Sequence, residues 1–121
     1  MELLDQRGDR LARALRRHGV RPEDLVLVVV CNPGERRVAL VGAAKAGARH
    51  LQLPCDMTPE AFAAAHRRAA PAATIACAEG VELWHAAGCH GTILGDGPGV
   101  TWWRLAELRE SAPARDGVAV A

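Results

Sequence analysis

A chain of 121 residues, half of them apolar, is one domain that buries roughly two-thirds of its unfolded surface, so it can build a core without disulfides or a structural metal. Its net charge of +1, with one phenylalanine, three tryptophans and no tyrosine, supplies neither the field nor the stacking platforms of a nucleic-acid binder. No run approaches the ~18–20 apolar residues of a bilayer span, and Met1-Glu2-Leu3-Leu4-Asp5 lacks the basic-then-apolar plan of a signal peptide, so no membrane contact and a cytoplasmic setting are expected.

The first helix is expected over about Leu3 to His18, with Leu4, Leu11 and Leu15 on one face and Gly19 as its stop. The run Leu25 to Cys31 is apolar and valine-rich. A strand exposed on one face would alternate, so this one suits a parallel strand covered on both faces. A second helix is expected from about Glu35 to Ala46, burying Val38, Val41 and Gly42 and ending at Gly47. His50 to Leu53 reads as the next strand. Thr58 as N-cap, Pro59 at the first helical position and Glu60 at the positive end of the dipole open a third helix that ends before Pro71. Ala73 to Cys77 is a third strand, Val81 to Ala87 a short helix stopped by Gly88, and Thr92 to Leu94 a last strand. Gly95 to Gly99 is a turn by composition, and Trp102 to Leu108 suggests a final amphipathic turn or two. The expected fold is α/β: a three-layer sandwich with a small, mostly parallel sheet of about four strands and helices on both faces. The domain is placed at residues 1–110, with a flexible tail at 111–121.

The order of these pieces carries a resemblance. Leu11 to Asp24, the run Leu25 to Val30, Asn32-Pro33-Gly34-Glu35, Val41 to Ala48, Leu53-Pro54, Thr58-Pro59-Glu60 and Thr74 to Ala78 together resemble the N-terminal subdomain of the adenylate-forming superfamily. That superfamily includes acyl-CoA synthetases, peptide-synthetase adenylation domains and firefly-type luciferases. The resemblance implies a mainly architectural segment. In the family, adenylation relies on a Ser/Thr/Gly-rich phosphate loop, an aromatic-Gly-Glu element, a ribose-gripping Asp and a C-terminal Lys, all downstream of this region. None has a match here, and Arg115 to Val120 resembles the strand that leads into that phosphate loop. No G-x-x-x-x-G-K-[ST] or G-x-G-x-x-G motif takes its place. The chain is therefore expected to bind no cofactor alone and not to act as an autonomous ATP-dependent ligase.

Four cysteines occur without a C-x-x-C pair and are expected to be free thiols. Three of them end three successive strands: Cys31, Cys55 and Cys77. In an open parallel sheet the carboxyl ends of the strands are where ligands bind, so Cys31, Asn32, Cys55, Asp56, Cys77 and Glu79 are the candidate ligand-binding residues. Cys55, ahead of a helix N-terminus, and Cys31 are candidate nucleophiles; the bland alternative is that each cysteine packs as a small hydrophobe. His85, Cys89 and His90 have a spacing that could hold a metal, but Gly88 should break that helix and nothing completes the set, so no metal site is expected. His18, His50 and His66 read as surface or cap residues.

A subdomain without its neighbours leaves a face and a sheet edge uncovered. A homodimer, or a heteromeric partner carrying the missing subdomains, is expected, with Trp102 and Trp103 as candidate interface residues. The expected function is a non-catalytic fragment or split subunit that completes or scaffolds such a partner. The alternative is a repurposed domain that binds or transforms a small molecule at the strand carboxyl ends.

Overall fold

The computed structural model describes residues 2–95, in which helices and strands alternate. In chain order they are α1 (Glu2–Arg17), β1 (Leu25–Val29), α2 (Pro33–Lys45), β2 (Arg49–Gln52), α3 (Pro59–Ala69), β3 (Ala73–Ala76), α4 (Ala78–Ala86) and β4 (Ile93–Gly95). The sheet order is β2-β1-β3-β4, and every neighbouring pair is parallel. Parallel neighbours need crossovers, which α2, α3 and α4 supply. The step from β1 to β2 runs one way across the sheet, and the later steps run the other way. Right-handed crossovers then set α2 on one face and α3 and α4 on the opposite face. The expected α/β sandwich is the observed fold.

The core lies in two layers on either side of the sheet. On one side, Leu11 and Leu15 of α1 and Val38 and Ala39 of α2 pack on Val26, Val28, Ile75 and Leu94. On the other, Phe62, Val81, Leu83 and Trp84 pack on Val29, Ala76 and Ile93. The β1 valines are buried on both faces, as an apolar run without alternation predicts. Two caps fix the loops at the carboxyl ends of the strands. Asn32 Oδ1 accepts from the Glu35 N–H at 3.0 Å, and Thr58 Oγ1 accepts from the Ala61 N–H at 3.1 Å. Gly19 ends α1 with φ +96°, a left-handed conformation that favours glycine.

Helices α1 and α2 pack through small residues. A Cβ on Gly42 would lie 2.7–2.8 Å from three atoms of Leu11, and one on Gly8 would meet Val41. The two ends of α2 are tied to the first half of α1, by Arg7 on Glu35 (3.0 Å) and by Lys45 between Asp5 (2.7 Å) and Asp9 (3.1 Å).

Two features differ from the sequence reading, and a third, the bare edge strand, agrees with the uncovered sheet edge it expects. Val41 is only half-buried, and Ala39 and Ala43 share the buried face with Val38 and Gly42; Val41 is turned instead toward Gly8 of α1. Helix α4 starts at Ala78, not Val81. Gly80 does not delay it, because a glycine is what lets its first turn approach β1: a Cβ there would strike the Val29 carbonyl oxygen. Strand β2 is exposed at every residue, and Leu51 is 41% exposed. Trp102, Trp103 and the boundary between the 1–110 domain and its tail lie outside the described residues.

Candidate functional site

The strand order reverses at β1. The chain leaves β1 for β2 on one side and later returns to β3 on the other, so the crevice of an open α/β sheet falls at the carboxyl ends of β1 and its neighbours. The three candidate cysteines converge there. Carried three residues past Val28↔Gln52, the β1–β2 register sets Cys31 level with Cys55. Carried one past Val29↔Ala76, the β1–β3 register sets Val30 level with Cys77. With strands about 4.8 Å apart, three loops deliver three thiols to one place. Cys77 Sγ lies 3.6 Å from Cys55 Sγ and 3.7 Å from Cys31 Sγ, and all three sulfurs lie within 4.8 Å of one another. The Cys31 N–H donates to Cys77 Sγ at 3.5 Å, and Cys77 Sγ lies 3.5 Å from the Val29 carbonyl oxygen. Cys55 and Cys77 are half-buried and Cys31 is exposed; all are free thiols.

Burial pushes the Cys55 thiol well up, and sharing hydrogen bonds with Cys31 and Cys77 pushes it further. Contact with Cys55 acts to lower Cys31, but burial, the Cys77 hydrogen bond and the nearby charges of Cys77 and Glu79 outweigh it and leave Cys31 raised. A raised pKa keeps a thiol protonated at neutral pH, which works against nucleophilic attack by Cys31 or Cys55.

Beside the cysteines opens a cleft of about 520 Å³ lined by Cys31, Arg36, Gln52, Pro54, Cys55 and Asp56, among others. Arg36 holds its rim: Nε donates to the Val30 carbonyl at 3.1 Å and a terminal nitrogen to the Cys31 carbonyl at 2.9 Å. The sequence singled out no arginine as a site residue, and Arg36 was missed. The available signal was an arginine in the first turn after a strand end, where two carbonyls lack ladder partners. Among the other candidates, Asp56 lines the cleft, Asn32 is committed to capping α2, and Glu79 is exposed in the first turn of α4.

The His85, Cys89 and His90 set does not assemble among the described residues. The His85 ring stands edge-on to Trp84 at 5.2 Å, while Cys89 and His90 line a separate cleft of about 340 Å³ with His66 and Arg67. Among the described residues, Cys31, Cys55 and Cys77 form the one group of three or more potential metal ligands. No described helix is long and apolar enough to cross a membrane.

A family model described as AMP-binding enzyme matches residues 2–116. The benzoate CoA ligase of Burkholderia xenovorans LB400 superposes with a TM-score of 0.75 at 28% identity, covering 90% of this chain and 22% of that one. MbtA of Mycobacterium smegmatis does so with a TM-score of 0.70 at 27% identity, covering 91% and 22%. The luciferase-like enzyme of the nonluminescent mealworm Zophobas morio, at 18% identity and a TM-score of 0.73 over 90% and 27%, is alike in fold alone. This chain thus spans 22–27% of the length of these structures. No curated protein matches it.

Proposed function

This chain belongs to the AMP-binding enzyme family, and on that premise we propose that it is the architectural opening subdomain of an AMP-forming acyl- or aminoacyl-activating assembly. It acts by completing or scaffolding the part that carries the adenylation machinery, and does not catalyse adenylation by itself. The observation that carries this reading is strand β2. A sheet edge exposed along all four residues, with Leu51 41% exposed, is a surface that pairs or is covered when the assembly is complete. The chain spans 22% of the CoA ligase it matches. The working state is then a homodimer or a complex with the remaining subdomains, in the cytoplasm, with contacts at the β2 edge and around Trp102 and Trp103.

The test is acid-dependent exchange of pyrophosphate into ATP. The 121-residue chain alone is expected to give none with any carboxylic acid, and to support exchange once the remaining subdomains are supplied in trans. Robust exchange by the chain alone would overturn the reading. Sedimentation at micromolar concentration is expected to show a dimer or a heteromeric complex, and a monomer that finds no host partner would count against it.

A second reading has one observation in its favour. The cleft of about 520 Å³ beside Cys31, Cys55, Asp56 and Arg36 has the size of a small-molecule pocket and stands at the carboxyl ends of the strands. In this reading the domain binds or transforms a biosynthetic intermediate there. A homodimer that is stabilised by a metabolite, and that captures no adenylating partner, would favour it.

A further inference from the structure

We propose that Cys31, Cys55 and Cys77 form a three-thiolate site for a soft d10 metal ion of the Cu(I), Zn(II) and Cd(II) class. The spacing fits such an ion as the chain is folded. With metal–sulfur bonds of about 2.3 Å, sulfurs on a tetrahedral edge stand roughly 3.8 Å apart, and sulfurs in a trigonal plane roughly 4.0 Å. The observed separations of 3.6 and 3.7 Å, with all three sulfurs inside 4.8 Å, already lie close to those values. One cation at the centre can reach all three without moving a strand.

The donor set selects the ion. Three sulfurs, with no imidazole or carboxylate in the group, favour soft thiophilic cations over magnesium or calcium. Binding must displace the thiol protons, as at any thiolate site, and three nearby features favour the ligand charge that results. The Cys31 N–H points at Cys77 Sγ, an outer-shell hydrogen bond to a ligand atom. Cys77 is the N-cap of α4 and makes no side-chain cap bond, so its sulfur stands at the positive end of a nine-residue helix. Arg36 fixes the Cys31 carbonyl and adds positive charge beside the site. Access is open, because Cys31 is exposed and shares the adjoining cleft with Cys55 and Asp56. A fourth position is left for water or a small exogenous ligand, as in metal sites with three protein ligands. Bound there, the ion ties together the β1–α2, β2–α3 and β3–α4 loops.

The experiment titrates the reduced, full-length chain anaerobically with Cd(II), Zn(II) and Cu(I) in separate arms. The readouts are thiolate-to-metal charge-transfer absorption for Cd(II), competition with a chelating indicator for the other two, and X-ray absorption for the ligand shell. One ion per chain is expected, in a shell of three sulfurs at about 2.3 Å for zinc or slightly longer for cadmium. Affinity should fall at least about 100-fold in each of Cys31→Ser, Cys55→Ser and Cys77→Ser, and stay unchanged in Cys89→Ser. In the parent protein, metal should protect Cys31, Cys55 and Cys77 from alkylation and leave Cys89 labelled, a readout that survives if a serine variant fails to fold. Absence of saturable one-to-one binding, a shell dominated by nitrogen or oxygen, or equal loss in Cys89→Ser would overturn the proposal. So would closure of a Cys55–Cys77 disulfide, on addition of a two-electron oxidant such as oxidised glutathione, that bound metal does not slow.

Discussion

Gly80 sits in the first turn of α4, where intrinsic propensity and tertiary packing predict opposite outcomes for Gly80→Ala. Helix propensity alone predicts a gain of about 1 kcal/mol. The structure predicts a loss, because the new Cβ would strike the Val29 carbonyl oxygen and come within 3.0 Å of the Ala76 Cβ and 3.2 Å of the Val29 Cβ. The Val29 carbonyl belongs to the central strand and cannot yield as a side-chain tip can, so α4 must lift. A gap of about 0.5–1 Å forfeits a quarter to a half of the dispersion well for the atoms involved. The residues that lose it are Val81, Leu83 and Trp84, each at most 7% exposed against the sheet. Overpacking of this kind costs about 3 kcal/mol at the upper end of its usual range, and the propensity gain offsets about 1 kcal/mol. The net loss is about 2 kcal/mol. With a urea slope of about 1.5 kcal/mol/M, the unfolding midpoint should fall by roughly 1–1.5 M at unchanged slope. Ala44→Gly, at an exposed position of α2, supplies the propensity scale, with an expected cost of about 1 kcal/mol. Lifting α4 also draws Cys77, its N-cap, away from the Val29 carbonyl, so Cys77 should alkylate faster in the variant. A Gly80→Ala midpoint at or above that of the parent protein would refute the close-approach reasoning.

Three further outcomes are expected. Val28→Asp should abolish folding, since it places a carboxylate without a partner at a site 1% exposed in the central strand; a cooperative urea transition in this variant would contradict the layer assignment. Arg7→Ala should destabilise by about 1–2 kcal/mol, more than a surface pair and less than a fully buried one, because its guanidinium donates to both Glu35 oxygens at 3.0–3.1 Å from a mostly covered position; a double-mutant cycle with Glu35→Gln should show coupling, and strict additivity would count against the bridge. Burial holds His18 and His66 below 6.5, with Arg17 adding to the effect at His18; a folded pKa below the unfolded one means that the unfolded chain binds more protons in acid, so this stability is complete above about pH 6.5 and is lost as pH falls through the lowered values. Urea midpoints should therefore drop between about pH 7 and pH 5, less steeply in His66→Gln, and an unchanged slope in that variant would exclude the contribution of His66.

Most of the fold was legible because its signals are local. An apolar run without alternation reads as a strand covered on both faces, Thr58 reads as a helix start, and Gly19 reads as a stop; the structure uses each in that way. The family was legible in the order of the same pieces. Reading failed where a residue's role depends on what lies across from it. Gly80 falls outside the helix expected from Val81 and acts as a contact surface, Val41 reads as core and faces the neighbouring helix, and Arg36, not singled out in the sequence, closes the end of β1. The cysteines show the division most sharply. The sequence places Cys31, Cys55 and Cys77 at the carboxyl ends of three strands, 22 to 46 residues apart, which puts them on one rim of the sheet but does not say that their sulfurs meet. Strand order and register decide that. The sheet runs β2-β1-β3, so three loops distant in sequence become neighbours about one strand spacing apart, and their sulfurs fall within a few ångströms of one another because parallel pairing fixes how far each chain has advanced when it leaves the sheet.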